Sequence, residues 1–295
     1  TGLRNPWRRE EVYNEELKLG AFGKTGTLYA VYYFLEHFCK VRFYWPGEIG
    51  TVITKTDTIN IPENCDINRA PVFSYRHPWI CDFNESASNA LWYKRVGFGG
   101  IAPVQIIDSN YFFTLRLKDK HLEIFAIVDG EYDTDNKCAI RGGGQLCYSH
   151  PDTVGLVSEI ISDYFDSHPE QLYFPLVPGD GFKHICECAA CSAQVNPETE
   201  KNARFSNYVW GFVNRVAAEV GKKHPDRIIG CLAYDSYLDV PDKIEKFEPN
   251  VAVMFCKNRG SMASESYADQ TYAIIKSWQK KTNNSMFAWD YYLQC

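Results

Sequence analysis

Apolar residues recur at helical spacing in several stretches of the chain. Between residues 151 and 167, Val157, Ile161 and Tyr164 fall on one face, and Pro151 stands in the first turn, where a backbone N–H is not needed. This spacing is typical of an amphipathic helix. We predict helices of this kind over residues 23–38, 88–96, 151–167, 203–223 and 266–280.

Short apolar runs that end at proline, glycine or polar residues lie around and between these helices. They predict strands over residues 41–45, 51–62, 73–79, 121–129, 171–177, 227–234, 250–256 and 285–292. From residue 73 onward strands and helices alternate, which predicts a parallel α/β sheet or barrel. An eight-stranded barrel would need a further strand and closing helices, so we expect the chain to be incomplete at its C-terminus.

A linker rich in proline and asparagine, IPENCDINRAPV, follows the first strands. Such composition is typical of a connection between folded units. We therefore place a domain boundary near residue 68. Residues 1–68 are predicted to form a small, partial αβ domain, and residues 69–295 the larger α/β domain.

Composition narrows the possible partners. The net charge of -6 and the lack of a basic stripe argue against nucleic-acid binding. No apolar run reaches the roughly 18 residues of a membrane span, and no signal peptide opens the chain, which starts without Met. We expect that the N-terminus of the chain is processed or truncated. The sequence does not indicate a cellular compartment. Aromatic residues make up 15% of the chain, which suits either an aromatic core or flat faces for sugar rings.

The segment QLYFPLVPGDGFKHICECAAC, residues 171–191, concentrates the candidate chemistry. A predicted buried strand ends at proline and glycine, and the carboxylates of Asp180 and Glu187 follow. Four side chains of this segment have the spacing of zinc ligands: His184, Cys186, Cys188 and Cys191. A local disulfide or unpaired thiols that shape the loop are the alternatives. The chain has 11 cysteines, an odd number, so they cannot all pair within it.

Further polar and aromatic side chains stand at or near predicted strand ends and are candidates for substrate binding. Side chains alternate between the two faces of a strand, so Asp290 and Tyr291 cannot point the same way. The candidate substrate-binding residues are Arg76, His77, Tyr234, Asp235, Trp289, Asp290 and Tyr291.

Several segments of the chain resemble known families. Residues 25–50, TGTLYAVYYFLEHFCKVRFYWPGEIG, resemble the end of the αβ domain that precedes the barrel in family 20 hexosaminidases and in α-glucuronidases. The segments AIVDGEY, GGGQLCYSHPD, PGDGFKHICECAAC, FVNRVAAEVGKKHPD, LAYDSY and FAWDYYL resemble, in this order, proteins grouped under domain of unknown function 4838. Some of that group are glycoside hydrolase family 163, endo-acting β-N-acetylglucosaminidases on N-glycans.

The resemblance implies a (β/α)8-type barrel, a glycan substrate, no required cofactor and an extracytoplasmic location. It implies catalytic roles for Glu187 as general acid and Asp180 as the group that orients the reacting substituent, with the substrate's acetamido oxygen as nucleophile. In family 20 the two acidic residues are adjacent, whereas here six residues intervene. The alternatives are a non-catalytic carbohydrate-binding or structural barrel and an α-glucuronidase-like hydrolase.

Overall fold

Contacts within the chain divide it into two units, Thr1–Val104 and Gln105–Cys295. The structure is a computed structural model, and it describes residues 13–78, 83, 85–100, 109–195, 198–283 and 286–291. Parts of the predicted elements that fall elsewhere, such as the ends of the strands predicted over 73–79 and 285–292, lie outside the described residues. The domain boundary predicted near residue 68 differs from this division and stays a prediction.

The first unit combines two helices with short antiparallel strand pairs. Helix α2 (Ala87–Arg95) contributes Tyr93 to one buried cluster and Trp92 to another. Side chains of helix α1 (Gly26–His37) pack against the second cluster, which also contains Phe43. The strands pair as β1 with β2, β3 with β4, and β5 with β6. Their bounds are Tyr13–Asn14 (β1), Leu19–Gly20 (β2), Gly26–His37 (α1), Arg42–Phe43 (β3), Thr51–Val52 (β4), Tyr75–Arg76 (β5), Ala87–Arg95 (α2) and Gly99–Gly100 (β6).

The second unit is built on a parallel sheet of four strands. Its order is β12-β11-β10-β9, and every neighbouring pair is parallel. Helix α6 connects β9 to β10, and α7 connects β11 to β12. The bounds are Asn110–Leu117 (α3), Ile127–Val128 (β7), Glu131–Tyr132 (β8), Thr153–Ser167 (α4), Tyr173–Pro175 (β9), Ala189–Ser192 (α5), Ser206–Lys223 (α6), Ile228–Ala233 (β10), Val251–Asn258 (β11), Glu265–Lys281 (α7) and Met286–Tyr291 (β12).

The predicted helices are confirmed, and the strands are confirmed in part. Helices α1, α2, α4, α6 and α7 cover the five predicted segments to within a few residues. The prediction of one strand over residues 51–62 was too long, because only Thr51–Val52 finds a partner and the residues after it are exposed. Helix α3 was not predicted. The four parallel strands fit an α/β sheet, and the barrel and its incompleteness stay predictions.

An aromatic cluster packs helices α6 and α7 of the second unit against each other. Trp210 of α6 is fully buried. Its indole contacts that of Trp278 of α7 in a tilted arrangement, with 4.6 Å between ring centroids. The indole N–H of Trp210 donates to the carbonyl of Tyr237, at 3.0 Å. Phe247 packs against both Trp rings. This cluster joins the two long helices to the loop that follows β10.

Replacing Trp210 with Ala should destabilise the protein strongly. The change removes a fully buried ring and leaves a cavity and an unpaired carbonyl, which typically costs about 3–5 kcal/mol. Urea unfolding followed by fluorescence and circular dichroism would measure this loss. Tyr272→Ala, at an exposed position on α7, is the control and should stay within about 0.5 kcal/mol of the parent. Equal losses in both variants would contradict the cluster.

Candidate metal centre and strand-end face

A tight hairpin positions the loop that carries three of the cysteines. Strands β7 and β8 are joined by Asp129 and Gly130, whose φ angles of 52° and 75° give the left-handed turn that suits a two-residue hairpin. The hairpin lies beside the cysteine loop: Glu187 donates its N–H to the carbonyl of Ile127, at 2.9 Å. On the other side, Cys147 donates its N–H to the carbonyl of Ile124.

Four thiols meet at this point: Cys147, Cys186, Cys188 and Cys191. Their sulfur atoms all lie within 4.8 Å of one another, and three of the four residues are buried. Cys147 Sγ is 3.7 Å from Cys188 Sγ and 3.6 Å from Cys191 Sγ. The described cysteines form no disulfide. Sulfur atoms clustered in this way could hold a metal ion.

Neighbouring donors favour the thiolate form within the group. Hydrogen bonds from Cys147 and Cys191 lower the pKa of Cys186 far below its usual range, and the Ile127 N–H, 3.2 Å from Cys186 Sγ, adds to the effect. The pKa of Cys147 is raised because its thiol donates to Cys186 and Cys191. Within the group, Cys186 is therefore the sulfur for which the thiolate is favoured, whereas the pKa values of Cys147 and Cys191 are raised.

The sequence identified three of these four residues. His184, predicted as the fourth ligand, is exposed, and it is not among the four residues that come together. Cys147 takes that place and was missed, because it lies 41 residues before Cys188 in the sequence. No spacing along the chain marked Cys147 as a partner of these residues.

The carboxyl ends of the four parallel strands gather several predicted residues into what we call the strand-end face: Asp180, Tyr234, Trp289, Asp290 and Tyr291. The phenols of Tyr234 and Tyr291 are close enough to shift each other's pKa, and the charge of Asp180 raises the pKa of both. Burial, the Tyr234 hydroxyl and this charge raise the pKa of Tyr291, so its phenol stays protonated. The rings of Trp289 and Tyr291 lie 6.1 Å apart.

Asp180 is fixed at this face by both its backbone and its side chain. Arg141 Nε donates to Asp180 Oδ2 at 2.8 Å, and the Asp180 carbonyl accepts the N–H groups of Ile140 and Arg141. The neighbouring Gly179 allows this approach, because a Cβ there would lie 2.7 Å from the carbonyl oxygen of Arg141. The Asp180 side chain keeps 42% of its surface exposed.

Asp290 lies between two cations. Lys257, its register partner on β11, is 2.9 Å from Asp290 Oδ2, and Arg259 donates to the same oxygen. Burial alone would raise the pKa of Asp290, but the hydrogen bonds and charges of Arg259 and Lys257 outweigh it and lower the pKa. The other oxygen, Oδ1, is buried and has no hydrogen-bond partner among the described residues.

Two further carboxylates follow β10. Asp235 has φ of 42°, an uncommon angle for this residue type, and forms an ion pair with Lys201 at 3.0 Å. Asp239, which the sequence reasoning missed, has its pKa raised by burial and by the nearby charge of Glu200. A carboxyl group with a raised pKa is a candidate proton donor. The segment between them lies against the loop of Asp180, because Ser236 Oγ donates to the carbonyl of Phe182.

The remaining predicted residues lie in other surroundings. Glu187 is exposed within the cysteine loop, where its carboxylate accepts the N–H of Asp129 at 2.9 Å. Arg76 and His77 belong to the first unit. Arg76 donates to the carbonyl of Gly97 at 2.7 Å, and the His77 ring is 3.0 Å from the hydroxyl of Tyr93. These contacts hold Arg76 and His77 in place, and their role in substrate binding stays a prediction.

The chain belongs to the family defined by domain of unknown function 4838, whose model matches residues 45–295. The resemblance of the sequence segments to this family is thereby confirmed, and the resemblance to glycoside hydrolases stays a prediction. No curated protein and no solved structure matches the chain. Among the described residues, no helix is both long enough and apolar enough to cross a membrane.

Replacing Asp290 with Asn should destabilise the protein in a pH-dependent way. The change leaves Lys257 and Arg259 without their anion, and we expect a loss of about 1–2 kcal/mol at neutral pH, less than for a fully buried pair because Arg259 is half exposed. The pKa of Asp290 is lowered by folding, so its stabilising effect is present above the ordinary value of about 3.9 and is lost as the pH falls through the folded value. Urea unfolding at a series of pH values would show the two proteins converging in acid.

Asp166→Asn is the matched control. Asp166 also pairs with a lysine, Lys223, but both side chains are about half exposed and the pair is screened by water and salt. This variant should lose much less stability than Asp290→Asn. Equal effects, or a gap that persists below the pH range in which Asp290 protonates, would contradict the role given to Asp290.

Proposed function

We propose that the protein is a glycoside hydrolase that acts on complex glycans and binds them at the strand-end face. The observation that carries this proposal is the gathering of the Asp180 carboxylate and the neighbouring phenols of Tyr234 and Tyr291 at one edge of a parallel sheet. In α/β folds, ligands bind at the carboxyl ends of the strands. Family membership adds the resemblance to those members of the group that are family 163 enzymes acting on N-glycans.

The polar and aromatic groups at this edge suit a sugar. Tyr234 and Tyr291 offer hydroxyl groups, and the Asp180 carboxylate, whose side chain is 42% exposed, can accept a hydrogen bond from a sugar hydroxyl. Trp289 and Tyr291, both half-buried, offer ring surface to the apolar face of a pyranose. A glycan would thus meet both hydrogen-bonding groups and flat apolar surface.

The charges favour a neutral sugar over a uronate. Four cations near this edge contact three carboxylates: Arg141 contacts Asp180, Lys201 contacts Asp235, and Lys257 and Arg259 both contact Asp290. A uronate would need a cation to receive its carboxylate, and it would have to displace one of these partners. An N-acetylhexosamine brings no such charge. This supports the N-acetylglucosaminidase-like reading over the α-glucuronidase-like one.

The reaction needs a proton for the leaving oxygen and a group that orients the attacking acetamido oxygen. We assign the second role to Asp180, whose carboxylate is held at the face by Arg141. Glu187 is the general acid in our proposal, as the family resemblance implies. Asp239 is the alternative acid, because burial and the nearby charge of Glu200 raise its pKa, which is the direction that a proton donor needs.

A non-catalytic carbohydrate-binding barrel is the second candidate function. Asp180, Asp235 and Asp290 are all engaged in ion pairs, which suits a surface that binds without transferring protons. This candidate keeps the glycan at the same face. It differs from the first in predicting binding without release.

Substitution of the acids should separate the two functions and identify the proton donor. The full chain would be incubated with N-glycoproteins, with release read by mass spectrometry, and with an aryl N-acetyl-β-glucosaminide whose leaving group needs no proton. Glu187→Gln should lower natural glycan release about 10²- to 10⁴-fold and affect the aryl substrate much less. Asp180→Asn should lower both rates alike, because it acts on the reacting centre.

Asp239→Asn and Asp166→Asn complete the set. If Asp239 is the acid, its variant shows the pattern expected of Glu187→Gln, and Glu187→Gln stays close to the parent. Asp166→Asn lies at an exposed ion pair on α4 and should leave both rates unchanged. Glycan binding without release by the parent protein would support the non-catalytic candidate. If the parent protein shows no binding and no release, the proposal is overturned.

A further inference from the structure

We propose that Cys147, Cys186, Cys188 and Cys191 bind one structural zinc ion as a four-thiolate site. The inference replaces the ligand set predicted from the sequence, because Cys147 stands where His184 was expected. It does not rest on the proposed hydrolase activity, and its test reads metal content and coordination.

The spacing of the sulfur atoms fits tetrahedral coordination. With Zn–S bonds of about 2.3 Å, tetrahedral geometry places ligand sulfurs about 3.8 Å apart. The sulfur of Cys147 lies 3.7 Å and 3.6 Å from those of Cys188 and Cys191, and all four sulfurs lie within 4.8 Å. Disulfides would instead join the cysteines in pairs at about 2.05 Å. A single centre shared by four sulfurs is what an ion requires.

The groups around the sulfurs can donate hydrogen bonds to thiolates. Four thiolates around Zn²⁺ carry a net negative charge, which such donors stabilise. Ile127 N–H points at Cys186 Sγ, at 3.2 Å. Ser149 Oγ lies 3.1 Å from Cys191 Sγ and accepts a hydrogen bond from the Gln194 amide, so its own proton is available for the sulfur.

Tyr208 supplies a second hydroxyl to Cys191. Its oxygen lies 3.6 Å from Cys191 Sγ and accepts the N–H of Tyr148, which leaves the phenolic proton for the sulfur. Tyr208 is fully buried on α6, so this contact also joins the site to the core of the second unit. The polar neighbours thus act as donors toward the sulfur group from the hairpin, the loop after Cys147 and α6.

The nature of the ligands points to zinc and to a structural role. Thiolates are soft ligands that disfavour calcium and magnesium, and a tetrahedral set of four suits zinc, with iron as the nearest competitor. Four protein ligands leave no position for water or substrate. The ion would join the Cys147 segment to the Cys186–Cys191 loop beside the β7–β8 hairpin. Binding would release the remaining thiol protons to solvent.

Metal analysis of the purified full chain tests the site. The parent protein is produced in zinc-supplemented medium and handled with a thiol reductant. Elemental mass spectrometry should then find about one zinc ion per chain. Cys147→Ser should weaken zinc binding in chelator competition by at least about 100-fold, since loss of outer partners alone costs 10- to 100-fold. His184→Ala and Cys231→Ser, a buried thiol of β10 outside the group, should bind like the parent.

A second measurement covers the case in which Cys147→Ser fails to fold. X-ray absorption at the zinc edge of the parent protein should show four sulfur neighbours at about 2.3 Å. Three sulfurs and one nitrogen, together with zinc loss in His184→Ala, would return the fourth position to His184 and overturn the four-thiolate site. A metal-free parent whose mass reveals disulfides among these cysteines, or one that holds iron, would overturn the assignment of zinc.

Discussion

Parallel pairing of β9 to β12 is the constraint on which the strand-end face depends. In a parallel sheet every strand delivers its carboxyl end to the same edge, so residues distant in sequence become neighbours without further design. The register sets their alignment: Lys257 stands opposite Asp290, and Asn258 opposite Tyr291. Alternation then separates Asp290 from Tyr291, which place their side chains on opposite faces. The ion pair and the phenol pair are consequences of this one register.

Charge compensation explains how so many carboxylates can share one edge. Each would be costly to hold near the others without a cation, and Arg141, Lys201 and Lys257 supply that balance. The compensation has a chemical consequence. The pKa of Asp290 is lowered, which favours its carboxylate form, whereas the pKa of Asp239 is raised, which favours its protonated form. Environments that push the pKa values of two carboxyl groups apart are the usual basis for separate acid and acceptor roles.

Local patterns in the sequence predicted what depends on neighbours along the chain. Helix α4 and strand β11 follow directly from apolar spacing, and the alternation of elements led to a parallel sheet. The prediction of a long strand over residues 51–62 was wrong beyond Val52, because a strand forms only where it pairs with another. The residues after Val52 have strand-like alternation but meet no partner strand among the described residues. Cys147 could not be identified for a similar reason, since its proximity to Cys188 is made by tertiary contacts of the β7–β8 hairpin. Local spacing alone suggested His184.

The connection between β9 and α6 shows why a bound ion is physically useful here. This connection is long, and the regular structure among its described residues is a one-turn helix, Ala189–Ser192, and a short 3-10 turn, Lys201–Ala203. Long irregular connections must gain order from elsewhere. Cys186 and Cys191 are fully buried, yet small side chains cannot supply much apolar burial. A shared ion would supply the missing order through four bonds, and Glu187, placed between two of its ligands, would be held in one position for proton transfer.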